Sequence, residues 1–260
     1  MKISFMGTGT SQGVPMIGCD CAVCVSTDPR NRRFRTHAHV EMGGLNIQID
    51  ASPEFRLQAL ELNIPKIDLA LLTHGHADHI QGFDDLRQYC DRRGGEAIPV
   101  YSSEEGLQRL REIYPYAMRD RAASKSYPAF QGRLMPEVLD LGAAGKIYST
   151  VQSHGRFETL GFVFEEAESG KRIAYYTDCG SVSPHAEELA RSADIVVLDG
   201  LRPMEHPSHM TIEEATDAAL RIEGKRSYLI HMTHHIDHEF VDTQLPEGVM
   251  LSYDGLVVEA

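Results

Sequence analysis

The sequence predicts an α/β protein, a two-sheet sandwich flanked by helices. Two observations carry this. Short apolar runs alternate with helical patterns along the whole chain, and the strand-like runs cluster in both halves, each cluster followed by helices. At 260 residues the chain can bury a substantial core. No repeat of fixed period and no linker rich in Gly or Pro divides it, so one domain over residues 1–260 is expected.

The expected strands, in order, are Ile3–Met6, Leu45–Ile49, Ile67–Leu72, Ile98–Tyr101, Gly161–Phe164, Ile173–Tyr176, Ile195–Leu198 and Ser227–Ile230. The chain then reads as a hairpin, Val249–Tyr253 and Leu256–Glu259, turning at Asp254-Gly255. Helix starts are marked by Ser52-Pro53 and Ser183-Pro184, where proline stands at the first helical position behind a serine cap. Ser102–Glu105 and Thr211–Glu214 have the spacing of a capping box. Ile212, Ala215, Ala219 and Ile222 form a narrow apolar stripe on the latter helix, which reads as core packing.

Apolar content of 42% and charged content of 24% are those of an ordinary soluble globular protein. No apolar run is long enough to span a bilayer, and Met1–Phe5 passes straight into a strand with no secretory signal. A cytoplasmic protein without membrane partners is expected. The formal charge of −13 and the absence of a strong basic run argue against extensive nucleic-acid binding. Self-association into a homodimer stays open. Five cysteines in such a chain do not imply disulfides, but Cys19, Cys21 and Cys24 are clustered while Cys90 and Cys179 stand alone as packed small hydrophobes.

The strand Ile67–Leu72 runs into Thr73-His74-Gly75-His76-Ala77-Asp78-His79, with a helix expected from about Ile80. A single histidine there would read as part of a solvated turn. Three histidines and an aspartate within six residues are costly to bury unless something binds them. Imidazole with carboxylate suits zinc, manganese or iron, and Gly75 and Ala77 are small enough for the loop to turn around an ion. Nearer the N-terminus, Cys19-x-Cys21-x-x-Cys24 offers three soft ligands for a closed tetrahedral zinc site that needs one more. The Gly7–Gly13 stretch before it lacks the Gly-Lys-Ser/Thr ending of a phosphate loop.

His-x-His-x-Asp-His resembles the signature of the metallo-β-lactamase superfamily, which implies an αββα sandwich of two mixed β-sheets. The superfamily's later ligands are matched in order by His154 after Val151-Gln152-Ser153, by Asp178 after Tyr175-Tyr176-Thr177, and by His231 ending Ser227–Ile230. The resemblance implies one metal on His74, His76 and His154, another on Asp78, His79 and His231, and Asp178 bridging them. It implies hydrolysis by a water held between two divalent cations, zinc or manganese, with Asp78 also orienting that nucleophile.

The cysteine loop on such a core resembles the phosphoribosyl 1,2-cyclic phosphate phosphodiesterase subfamily. There a histidine three residues after the last active-site histidine completes a structural zinc. His234 matches, with His235 and His238 as adjacent competitors. The subfamily also places a histidine before a helix near the leaving group. His209, just ahead of Thr211, matches as phosphate contact or general acid, and His206 is the alternative.

The function expected is hydrolysis of a small cyclic or sugar phosphodiester. The alternatives are a tRNA 3′-end ribonuclease, a lactone or thioester hydrolase, and a non-catalytic metal-binding scaffold that kept the fold. No glycine-rich basic arm is present, and Tyr114–Phe130 reads as a pocket cover. Arg32, Arg33 and Arg35 are either near an anionic substrate or in a solvated loop, while His37, His39 and His185 have structural or surface places.

Overall fold

Alternation along the strands sends side chains to two different cores, and that determines the layering. The computed structural model describes residues 1–260. Its strands are β1 (Lys2–Gly7), β2 (His37–Met42), β3 (Leu45–Ile49), β4 (Leu69–Leu71), β5 (Ile98–Ser102), β6 (Phe130–Leu134) and β7 (Val138–Asp140) in the first part of the chain. There follow β8 (Gly145–His154), β9 (Phe157–Glu166), β10 (Arg172–Tyr176), β11 (Ile195–Asp199), β12 (Ser227–Ile230), β13 (Val249–Leu251) and β14 (Val257–Glu259). They form two seven-stranded sheets, ordered β14-β1-β2-β3-β4-β5-β6 and β13-β12-β11-β10-β9-β8-β7. Each sheet is mixed: β3 to β6 and β10 to β13 are parallel, and the remaining pairings antiparallel.

Ile3, Phe5, Ile47, Ile49 and Leu71 of one sheet meet Phe162, Phe164, Ile173, Tyr175, Ile195 and Val197 of the other in a shared core. The alternate residues Ala70, Leu72 and Val100 face α1 (Phe55–Glu61), α2 (Ala77–Ile80), α3 (Arg87–Arg92) and α4 (Glu104–Ile113). On the opposite face Ala174, Tyr176, Val196 and Leu198 pack on α5 (Pro184–Ala190) and α6 (Ile212–Ile222), with α7 (His238–Asp242) beside them. The αββα sandwich is as the sequence predicts. The apolar stripe of α6 is core, and Thr211 and Glu214 close its capping box.

Three expectations are corrected. The terminal hairpin does not form: β13 pairs with β12 in one sheet and β14 with β1 in the other, so Asp254-Gly255 carries the chain between sheets. Asp254 is taken up there, its carboxylate accepting from Thr8 N, Thr8 Oγ1 and Phe34 N. The cap of α4 is Ser103, which accepts from Gly106 N, while Ser102 donates to Leu72 O and belongs to β5. Ser52 accepts from Glu54 N, and α1 starts later, at Phe55. Strand β2 was not expected. His37 and His39 lie on it fully buried, so both have structural places, while His185 is exposed. No helix is long and apolar enough to cross a membrane.

Candidate metal centre

The site lies where strands of both sheets end, and the backbone there is unusual. Asp50 follows β3 with φ +55°, Asp178 follows β10 with φ +53°, and His231 follows β12 with φ +65°. A left-handed conformation is costly for residues other than glycine, and neighbours must hold it. It swings each side chain off its strand towards one point. His74, in the loop after β4, and His154, the last residue of β8, point to the same place. Helix α2 begins at Ala77, earlier than expected, so Asp78 and His79 sit in its first turn. Gly75 lies against α4, where a Cβ would meet the Arg109 side chain at 2.8 Å.

Two donor sets result. His74 Nε2 and His154 Nε2 lie 2.9 and 3.3 Å from His76 Nδ1. Asp78, His79, Asp178 and His231 form the second set, with His79 Nε2 3.4 Å from Asp78 and 3.3 Å from Asp178. Asp178 stands between them, 4.0 Å from His74 Nε2 and 3.2 Å from His231 Nδ1. Burial disfavours a charged His79, yet the carboxylates of Asp178, Asp78 and Asp50 hold its affinity for a proton well above normal. Burial keeps His74 well below its ordinary value and brings His231 down to about 3. A cluster of imidazoles crowded against carboxylates is chemically suited to divalent cations. The fully buried His79 Nε2 has no hydrogen-bond partner, which also fits a ligand atom.

Two acids that the sequence reading missed orient this set. Asp50 accepts from His79 Nδ1 at 2.7 Å and from Thr73 N and Oγ1, both at 2.8 Å. Asp199, at the end of β11, accepts from His209 Nδ1 at 2.7 Å and from Cys179 N at 2.9 Å. The signal was present, since each is an acid closing an apolar run. Second partners of this kind fix a ring's tautomer and direction.

His209 is the histidine brought to the cluster, its ring stacked on His231 with centroids 4.8 Å apart and 4.7 Å from that of His154. Burial opposes its charged form, but Asp199 more than compensates and raises it to about 9. His206 lies outside it and bonds to Ser208. His154 Nδ1 is fixed by Ser208 O at 3.0 Å.

At the cysteine loop His234 Nδ1 is 3.3, 3.5 and 3.7 Å from the sulfurs of Cys19, Cys21 and Cys24. His235 is exposed and turned to Thr233, and His238 packs near Tyr253, so His234 is the residue brought to the thiols. Arg33 is buried rather than solvated. It donates to Thr233 O and Ile236 O and thereby ties the cysteine loop region to the segment between His231 and His238. Arg35 pairs with Glu54 and donates to Ser11 O.

A cleft of about 390 Å³ opens on the His74–His76 side, lined by α4 from Glu105 to Glu112 and by Phe157 and Glu158 of β9. Nothing from Tyr114–Phe130 lines it. That segment packs instead on α2 and α3, with Tyr114 donating to Ile80 O and Ala129 N donating to Cys90 Sγ, so it is not the pocket cover expected.

The fold and this cluster define a metallo-β-lactamase-type hydrolase scaffold. Residues 45–232 match the family model described as the beta-lactamase superfamily domain, and the chain belongs to that superfamily, within which it is PhnP-like. A crystal structure of a new diphosphatase from the PhnP family is 36% identical, with TM-score 0.89, covering 100% of this chain and 97% of that one. An octanoyltransferase of Porphyromonas gingivalis is 36% identical over 98% of this chain, which spans only 51% of that protein's length. A ribonuclease Z of Agathobacter rectalis is 24% identical over 79% of this chain and 84% of its own length.

Proposed function

We propose that the protein is a metal-dependent phosphodiesterase acting on a small cyclic or sugar phosphodiester. His74, His76 and His154 would hold one divalent cation, zinc or manganese, and Asp78, His79 and His231 a second, with Asp178 shared between them. Cys19, Cys21, Cys24 and His234 would hold one structural zinc. The two active-site cations supply Lewis acidity, which activates water and neutralises charge building on the phosphoryl oxygens.

The chain's own residues do the rest. Asp78, almost wholly buried, accepts a proton from the attacking water and aims it. Asp50 and Thr36 hold His79 and His231 by their Nδ1 atoms and fix both rings. His209 gives its proton to the departing alkoxide, and Asp199 holds the ring in the tautomer that makes this donation possible.

The observation that carries this reading is the buried His209–Asp199 pair at 2.7 Å beside the ligand cluster. A thioester hydrolase has less need of an acid there, because its thiolate leaving group is weakly basic. The PhnP-family diphosphatase, aligned over the whole chain, supports hydrolysis at phosphorus. The test is metal analysis of protein purified without chelator, followed by assay on small phosphodiesters, cyclic nucleotides, lactones and a tRNA precursor with Mn²⁺ and Zn²⁺. Three metals per chain and turnover of a small phosphodiester are expected. Cleavage confined to the tRNA precursor would move the reading to a ribonuclease, and a single-metal protein inert on every substrate would move it to a scaffold.

A further inference from the structure

His154 ends β8, and the register pairs it directly with Phe157, which begins β9. Only Gly155 and Arg156 intervene, Gly155 at φ +63°, which is a two-residue hairpin turn that a glycine permits. A Cβ at Gly155 would come within 3.0 Å of Ser208 Cβ, and Ser208 O holds His154 Nδ1 at 3.0 Å. The turn is therefore clamped by the same contacts that aim His154. Phe157 inherits that rigidity. Its ring stands nearly perpendicular to His76, with centroids 5.1 Å apart, and remains 41% exposed.

Phe157 is the one large apolar side chain lining the otherwise polar cleft beside His74 and His76. It also lines a second opening of about 480 Å³ beside His154, Arg156 and Ser208. The exposed Arg156 guanidinium lies over the ring, 5.8 Å from its centroid. An exposed aromatic does little for the folded state, and here a rigid turn holds one at the mouth of the cluster. Phenylalanine and a guanidinium plane are both groups on which nucleobases stack.

We propose that Phe157, with Arg156, determines specificity by stacking a planar ring of the nucleobase type carried on the group next to the scissile phosphate. This deepens the phosphodiesterase reading and rests on it. Any group joined to a phosphate at the His74–His76–His154 cluster and leaving through either opening passes this ring.

The test compares thymidine 5′-(p-nitrophenyl) phosphate with methyl p-nitrophenyl phosphate, which share a leaving group and differ in the retained one. In Phe157→Ala, KM should rise about tenfold more for the thymidine ester than for the methyl ester, the scale of one base–aromatic contact. Phe157→Tyr should restore most of the difference. A second measurement does not depend on turnover. Calorimetry of the metal-loaded proteins with thymidine 5′-monophosphate should show affinity about tenfold weaker in Phe157→Ala, with unfolding temperature and metal content as checks on the fold.

Equal rises in KM for the two esters, or an unchanged affinity for the monophosphate, overturn the proposal. Failure of the underlying reading looks different. Wild-type protein inert on both esters would remove the phosphodiesterase assignment, while the calorimetry would still decide whether Phe157 stacks a base.

Discussion

Replacing His209 by alanine separates acid catalysis from phosphate binding at this site. An alkoxide leaving group is strongly basic, and a positioned donor is worth about 10²–10⁴-fold, or ~3–5 kcal/mol of barrier. His209 is placed to be that donor, with Nδ1 engaged by Asp199 at 2.7 Å and the ring 4.7 Å from that of His154. On a 2′,3′-cyclic nucleotide, whose leaving group is an alkoxide, kcat of His209→Ala should fall by that factor. On bis(p-nitrophenyl) phosphate, whose phenolate departs unaided, the loss should be no more than about tenfold. Asp199→Asn keeps an acceptor for Nδ1 but removes the charge that raises His209 to about 9. A hydrogen bond to a charged group contributes ~1.5–3 kcal/mol, so the alkoxide reaction should slow by about 10–100-fold. The double variant should lose little beyond His209→Ala, because the two act as a unit. The assay is steady-state kinetics on both esters, with metal content measured for each variant. Equal losses on the two esters would make His209 a phosphate contact, and no loss on either would refute its role and shift it to His206.

Cys21→Ser should lower folding stability by ~3 kcal/mol or more through loss of a structural zinc, measured by denaturant unfolding. Asp178→Ala should instead abolish turnover while the fold persists; unchanged stability with lost activity in Cys21→Ser would contradict this division. Gly82→Ala places a Cβ 2.0 Å from Ser52 O, which must push α2 and its Asp78 and His79 away from Asp50. A loss of ~1–3 kcal/mol and weaker metal binding in a chelator competition are expected. At Asp194 burial favours the neutral acid, but Lys225, the Arg172 N–H and Lys171 outweigh it and hold the carboxyl well below its usual range. A depressed folded-state acid stabilises above its unfolded value near 3.9 and loses that as pH falls. Asp194→Asn should therefore cost about 1–2 kcal/mol at pH 7, and its deficit relative to the wild type should shrink progressively as pH falls below about 4.

The layers were legible because each strand pairs an inward apolar set with a second apolar set facing helices, and that alternation survives in the sequence. Strand β2 shows the same period, Ala38, Val40 and Met42 against His37, His39 and Glu41. Its histidines interrupt the alternation as polar residues, although His39 is satisfied by Gln48 and Asn46 across the sheet. The terminal strands mislead for the opposite reason. Asp-Gly between apolar runs is a strong local hairpin signal, but both edges it could have joined had better partners, β12 in one sheet and β1 in the other.

The candidate metal ligands were legible where they are local, in the six residues from His74 to His79, and by resemblance where they are not. Asp50 and Asp199 carry no motif, and only the topology brings them beside His79 and His209. The three left-handed residues were hidden for a related reason, since none of Asp50, Asp178 and His231 is the glycine that announces such a backbone. An acid closing an apolar run is a usable sign, but it is not sufficient. Asp140 also closes Val138-Leu139 and is exposed, because β7 is an edge strand and Asp140 pairs with Lys146, at the opposite end of β8 from His154. What separates Asp50, Asp178 and Asp199 from it is burial at the strand ends that face one another across the sandwich. The local sequence thus nominates the acids, and strand order and direction decide which of them reach the cluster.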